Sequence, residues 1–114
     1  MHPDDNILVI YGRTGIDFVD ISSIIRIEAS SSYSKLFLTG GRTMVVTIVL
    51  KSLEEKLIGK GFVRVHRSHL VNTACIQTYN SSSMRIVLRN NEQIVISRRR
   101  STDIRKRLIS KSAA

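Results

Sequence analysis

Ile24-Ile25-Arg26-Ile27-Glu28-Ala29, then Ser30-Ser31-Ser32-Tyr33-Ser34, then Lys35-Leu36-Phe37-Leu38, then Gly40-Gly41 and Thr43-Met44-Val45-Val46-Thr47 form the stretch that decides the fold. The first segment alternates in part. Ile25 and Ile27 fall on one side, and Arg26 and Glu28 on the other, as in a half-buried strand. Serines make a polar loop. Lys35 to Leu38 is a second strand, and the two glycines turn the chain into a third over Thr43 to Thr47.

The same pattern spreads in both directions. Upstream, Ile7 to Tyr11 and the run from Ile16 flank a short loop with Gly12 and Gly15, a second hairpin. Asp20-Ile21-Ser22-Ser23 reads as one helical turn capped by Asp20. Downstream, Leu50, Leu53 and Leu57 recur at helical spacing, and Gly59 or Gly61 is placed to stop that helix. Phe62 to Val65 is extended. Ile76 to Tyr79, Met84 to Leu88 and Gln93 to Ile96 are further strands, joined by Asn80-Ser81-Ser82-Ser83 and Asn90-Asn91. Ser101 to Ile109 reads as a final helix with Ile104 and Leu108 on one face. The expectation is a mostly β domain with short peripheral helices: residues 1–5 a flexible N-terminal tail, 6–109 a single domain, 110–114 a C-terminal tail. Met1, His2 and the last four residues read as ends added for expression.

Composition narrows the function. Apolar residues make up 42% of 114, enough for one core and against disorder. A single cysteine, Cys75, excludes a disulfide framework and reads as a core residue. No apolar run approaches the roughly 18 residues that span a bilayer, and the polar start is no secretory signal, so the expected location is the cytoplasm. Charge is unevenly spread. Residues 1–55 carry a net −2 and residues 56–114 a net +11, within a total of +9. A basic half of that strength points to a polyanionic partner: nucleic acid, an acidic membrane or an acidic protein.

Three regions concentrate side chains able to bind such a partner. Phe62-Val63-Arg64-Val65-His66-Arg67-Ser68-His69-Leu70-Val71-Asn72 interleaves apolar anchors with hydrogen-bonding groups. Arg67 suits a bidentate contact to guanine, and Ser68 a phosphate. His66 and Asn72 fit structural roles better, as a backbone-bonded histidine and a turn residue. His66-x-x-His69 lacks the carboxylate or cysteine cluster that would complete a metal site. Arg98-Arg99-Arg100 stands where the last helix begins, and the macrodipole disfavours cations there. Converging guanidinium and backbone N–H groups would suit a phosphate; solvated arginines paired with Glu92 or Asp103 are the alternative. The Ser30–Lys35 loop offers short donors and one cation, a weak signal alone. No nucleophile–base pair, carboxylate dyad or Gly-rich phosphate loop is present, so neither a catalytic residue nor a cofactor is expected.

Four segments in register resemble LytTR DNA-binding domains. Ile27-Glu28-Ala29 with Tyr33-Ser34 is similar to the family's first motif, and Leu50 to Leu57 to its central helix. Phe62 to Asn72 resembles its most specific motif, followed by Ile76, and Val95 to Arg99 resembles its closing strand-to-helix motif. Ser32, Val49 and His69 depart from the usual Asn, Thr and aromatic residue. The resemblance implies an elongated set of small, mainly antiparallel sheets with two or three short helices, and no recognition helix. It implies that Ser34, Arg67 and Arg99 read bases in successive major grooves, while Tyr33, Lys35, Ser68, Arg98 and Arg100 hold phosphates or position the chain. It also implies duplex DNA with paired repeats, a homodimer on DNA, and a receiver domain in the full-length bacterial regulator; the start at residue 1 points to an excised output domain. Two other classes compete. A non-specific RNA or single-strand binder needs stacking aromatics, and most of the three Tyr and three Phe look buried. A membrane-docking module would need a broader apolar face than Ile104 and Leu108 give the last helix.

Overall fold

The computed structural model describes residues 6–112. Ten strands and two helices follow in the order β1 (Ile7–Tyr11), β2 (Ile16–Asp20), β3 (Ile24–Ser30), β4 (Tyr33–Leu38), β5 (Thr43–Val46), α1 (Leu50–Lys56), β6 (Phe62–His66), β7 (His69–Asn72), β8 (Ile76–Asn80), β9 (Arg85–Leu88), β10 (Gln93–Val95) and α2 (Ser101–Ser112). They form three antiparallel sheets: β1-β2, a central β5-β4-β3-β7-β6, and β10-β9-β8. The molecule is elongated, 46 × 35 × 25 Å.

The central sheet is covered along one face and, at β7 and β6, on the other as well, and this explains its sequence. One face packs Ile24, Ile27, Leu36, Leu38, Phe62 and Leu70 against the β1-β2 hairpin and the α1 leucines Leu50, Leu53 and Leu57. The other packs Val63, Val65 and Val71 against Ile86, Leu88, Ile94 and Ile96 and against Ile104 of α2. A strand covered on both sides reads as a continuous apolar run rather than an alternation. Phe62-Val63 and Leu70-Val71 are such pairs, each split between two cores. Leu108 also packs on the second core, so α2 uses the face its spacing predicted.

Local signals explain most element ends. Asp20 accepts from Ser22 N–H at 3.1 Å and caps the 3-10 turn Ile21–Ser23. Asn72 caps Thr73–Cys75 by accepting from Ala74 N–H at 3.0 Å, and its amide donates to the Ile24 carbonyl at 2.9 Å. The β4–β5 turn needs left-handed backbone at Gly40 and Gly41 (φ 78° and 74°), which favours glycine. Val49, at the start of α1, supplies no side-chain cap.

Four expectations need correction. Arg26 does not face solvent. A bulge between Ile24 and Arg26 breaks the alternation of β3, so Ile24 and Ile27 share a face and Arg26 is turned into the structure, 7% exposed. The aromatics are not mostly buried: Tyr11, Phe18 and Tyr33 are exposed. Tyr11 and Phe18 stand on the outward face of the β1-β2 hairpin, whose other face packs Leu8, Ile10 and Val19 into the core. Cys75 is only partly buried. The final helix continues to Ser112, through residues expected in the C-terminal tail. The N-terminal tail, residues 1–5, lies outside the described residues.

Candidate nucleic-acid interface

Strand direction alone gathers the three regions. β3 ends in the turn Ser31-Ser32, and its antiparallel partner β7 begins opposite Glu28, at His69. The turns Ser31-Ser32 and Arg67-Ser68 therefore lie at the same end of the central sheet. Ala29 N–H donates to the Ser68 carbonyl at 2.9 Å and ties one to the other. Ser97 N–H donates to the Val65 carbonyl at 2.8 Å, which brings the 3-10 turn Arg98–Arg100 beside the end of β6.

Within this end, side-chain direction decides what a ligand meets. Arg67 is exposed at the tip of the β6–β7 hairpin, with no side-chain partner among the described residues. Arg98 and Arg99 are exposed and Arg100 half-buried, all without ion pairs among the described residues. The acids that offered an alternative are engaged elsewhere: Glu92 binds Arg26, and Asp103 binds Arg107 at 3.2 Å. Ser101 Oγ donates to the Arg98 carbonyl at 2.9 Å, closing the turn ahead of α2. Tyr33 and Lys35 are exposed, with the Lys35 ammonium 5.1 Å from the Phe37 ring centroid.

Ser34 is placed differently. It is fully buried, and its hydroxyl donates to the Ile48 carbonyl at 2.5 Å. The physical reason is parity. Strand β4 begins at Tyr33, so Ser34 shares the inward face of Leu36 and Leu38, whereas Tyr33 and Lys35 point out. The side chain expected to read a base at this loop therefore pins β4 to the segment leading into α1. Ser34→Ala is expected to cost about 1–2 kcal/mol of stability, the loss of one buried hydrogen bond, with no change in DNA preference. Urea unfolding and binding assays on the same preparation check both halves.

The hairpin carrying Arg67 is held by groups with no base to read. His66 Nδ1 accepts from Ser68 N–H at 3.1 Å, as its structural reading anticipated. Arg64, which drew no role from its sequence setting, donates from Nε to the His66 carbonyl at 2.9 Å and from one Nη to the Arg67 carbonyl at 2.5 Å. Its other Nη meets Glu54 of α1 at 2.6 Å. The available signal was parity: Arg64 follows Phe62 on the side of β6 that faces α1, where a cation requires a partner.

His69 sits behind the turn. Its ring lies 5.4 Å from that of His66, and its buried Nδ1 has no hydrogen bond among the described residues and stands 3.9 Å from Glu28. Burial pushes its pKa below the ordinary 6.5; Glu28 opposes this, and His66 and Arg26 add to it. The unfolded chain then binds the proton more readily, so stability rises with pH. The contribution is complete above about pH 6.5 and is lost as pH falls from there through the lowered folded value. Between about pH 8 and pH 5.5, wild-type urea midpoints should fall more than those of His69→Tyr; parallel curves would contradict this. Among the described residues no three His, Cys, Asp or Glu side chains form a metal-holding group, and no helix is long and apolar enough to cross a membrane.

Comparison with known proteins agrees with the fold. No curated protein sequence gives a match. Among solved structures, the chain is similar to the LytTr DNA-binding domain of a protein described as a methyl-accepting/DNA response regulator from Bacillus cereus. The two are 23% identical with a TM-score of 0.74, over 90% of this chain and 96% of the other, a likeness of fold. The sequence profile of the family described as LytTr DNA-binding domain matches residues 14–109, which include all ten strands but β1 and the first nine of the twelve residues of α2. This chain belongs to the LytTr DNA-binding domain family.

Proposed function

We propose that the chain is the output domain of a bacterial transcription regulator and binds duplex DNA sequence-specifically through the turns at one end of the central sheet. Arg67 and Arg99 read base edges in the major groove. Arg98, Arg100, Lys35, Ser68 and Tyr33 hold the phosphate backbone and set the register. Ser34 contributes only by fixing the strand on which Tyr33 and Lys35 stand. The observation that carries this reading is that Arg67, Arg98 and Arg99 lie exposed, and unpaired among the described residues, on turns joined by backbone hydrogen bonds at one end of the central sheet. Such turns fix the backbone from which guanidinium forks able to pair with guanine O6 and N7 project. The domain acts in the cytoplasm as a homodimer on paired repeats, with a receiver domain in the full-length protein.

Selection from a pool of random duplexes, followed by sequencing, tests this. A recurring paired motif, with half-sites about one helical turn or a multiple apart, is the expected result. Competition with single-stranded DNA and RNA of the selected sequence separates the alternative. Equal or tighter binding to single strands, with no enriched motif, would favour a stacking mode over groove reading. Two of the exposed rings, Tyr11 and Phe18, stand beside Asp17 and Asp20 on the β1-β2 hairpin, a poor setting for a phosphate backbone.

A further inference from the structure

We propose that Arg64 is a positioning residue for DNA recognition: it locks the peptide plane that aims Arg67 and anchors that plane to α1 through Glu54. The inference rests on the reading that Arg67 meets a base. Each arm of the Arg64 guanidinium region is engaged. Nε binds the His66 carbonyl at 2.9 Å, one Nη the Arg67 carbonyl at 2.5 Å, and the other Nη Glu54 at 2.6 Å. The plane between Arg67 and Ser68 is thereby held at both ends, its carbonyl by Arg64 and its N–H by His66 Nδ1 at 3.1 Å. The next carbonyl, that of Ser68, accepts from Ala29 N–H at 2.9 Å. The hairpin tip is thus fixed at three successive backbone groups by partners from two strands, Arg64 and His66 of β6 and Ala29 of β3.

Such fixation sets the direction in which the Arg67 side chain leaves the backbone before DNA arrives. A guanidinium on a pre-set base loses less freedom on binding, and keeps the narrow geometry a bidentate contact requires. Arg64 itself cannot reach out: its side chain is 14% exposed and lies on the α1 side of β6, the side of Phe62. Its charge is compensated by Glu54, so it adds little to attraction for phosphate.

The test uses the intact chain with two probes, the duplex recovered by selection and a duplex of scrambled sequence. Arg64→Met should lower the ratio of the two affinities about ten-fold, within the range of one bidentate base contact. The loss of preference should fall on the same base pair that Arg67→Ala blurs. The double variant should be no more than about two-fold worse than Arg67→Ala alone, because one residue acts through the other. Glu54→Gln, on the solvated side of the pair, keeps the test alive if Arg64→Met folds poorly. It should weaken preference at that base pair while leaving scrambled-duplex affinity unchanged or higher, since a negative charge is removed. Additive losses, equal on both duplexes, would mean that Arg64 touches phosphate itself and would overturn the positioning role. So would unchanged preference in both Arg64→Met and Glu54→Gln while Arg67→Ala blurs it. If Arg67→Ala leaves preference intact, the base-reading assignment fails in its own right, and the positioning role falls with it.

Discussion

Arg26→Met is expected to destabilise the domain by about 2–4 kcal/mol, somewhat below the usual cost of removing one member of a buried ion pair. Arg26 grips Glu92 with two bonds, at 3.1 and 2.9 Å, and Glu28 with a third at 2.8 Å, while its guanidinium stacks 3.6 Å from the Phe37 ring centroid. Glu92 lies between β9 and β10 and Glu28 on β3, so this cluster joins the three-stranded sheet to the central one. Removing the cation leaves two carboxylates facing each other. Their partial exposure, 43% and 36%, lets water offset some of that penalty, which is why the expected cost sits low in the range. Adding Glu92→Gln should recover part of the loss, and a double-mutant cycle in urea measures the coupling. The acid limb offers a second readout. The hydrogen bond from Arg26 holds the Glu92 carboxyl below its ordinary 4.5, against the opposing effect of burial. That contribution is present above about pH 4.5 and is lost as pH falls through the lowered value, so Arg26→Met should flatten the acid-side decline. An unchanged midpoint at neutral pH would refute this role for Arg26.

On DNA, Arg67→Ala and Arg99→Ala are each expected to cost about 1–3 kcal/mol on the selected duplex and to erase preference at one position apiece. Arg98→Ala should weaken all duplexes evenly and reduce the salt slope by about one unit, as one released counterion requires. The three arginines are exposed and lack internal partners among the described residues, so folding should be little affected. Equal losses on scrambled DNA for all three would falsify the division of roles while leaving a basic binding surface.

How far the sequence foretold this arrangement depended on parity. The hairpins, the α1 leucines, the Asp20 cap and the Ile104–Leu108 face follow from spacing that a single strand or helix displays by itself. β7 did not stand out, because Leu70 and Val71 serve opposite cores and so produce no alternation. Arg26 was misplaced by one bulged residue, which a linear pattern does not reveal. Ser34 was drawn into a polar loop by its serine neighbours and by family resemblance. Counting back by twos from Leu38 and Leu36 puts it inside. Arg64 carried the same kind of clue, two residues after Phe62, yet its three acceptors come from the end of its own strand, the turn beyond it and a helix that only the folded chain brings together.

The 2.8 Å bond from Ser97 N–H to the Val65 carbonyl has a geometric corollary. It fastens two cationic tips to one another, so that, if Arg67 and Arg99 read bases as proposed, the domain would act as a caliper. B-form DNA advances about 10–10.5 base pairs per turn, and each added pair rotates the remainder of the duplex by roughly 35°. An operator lengthened by one pair between the two sub-sites would move the second out of phase with its arginine, and the span of the caliper cannot adjust to track it.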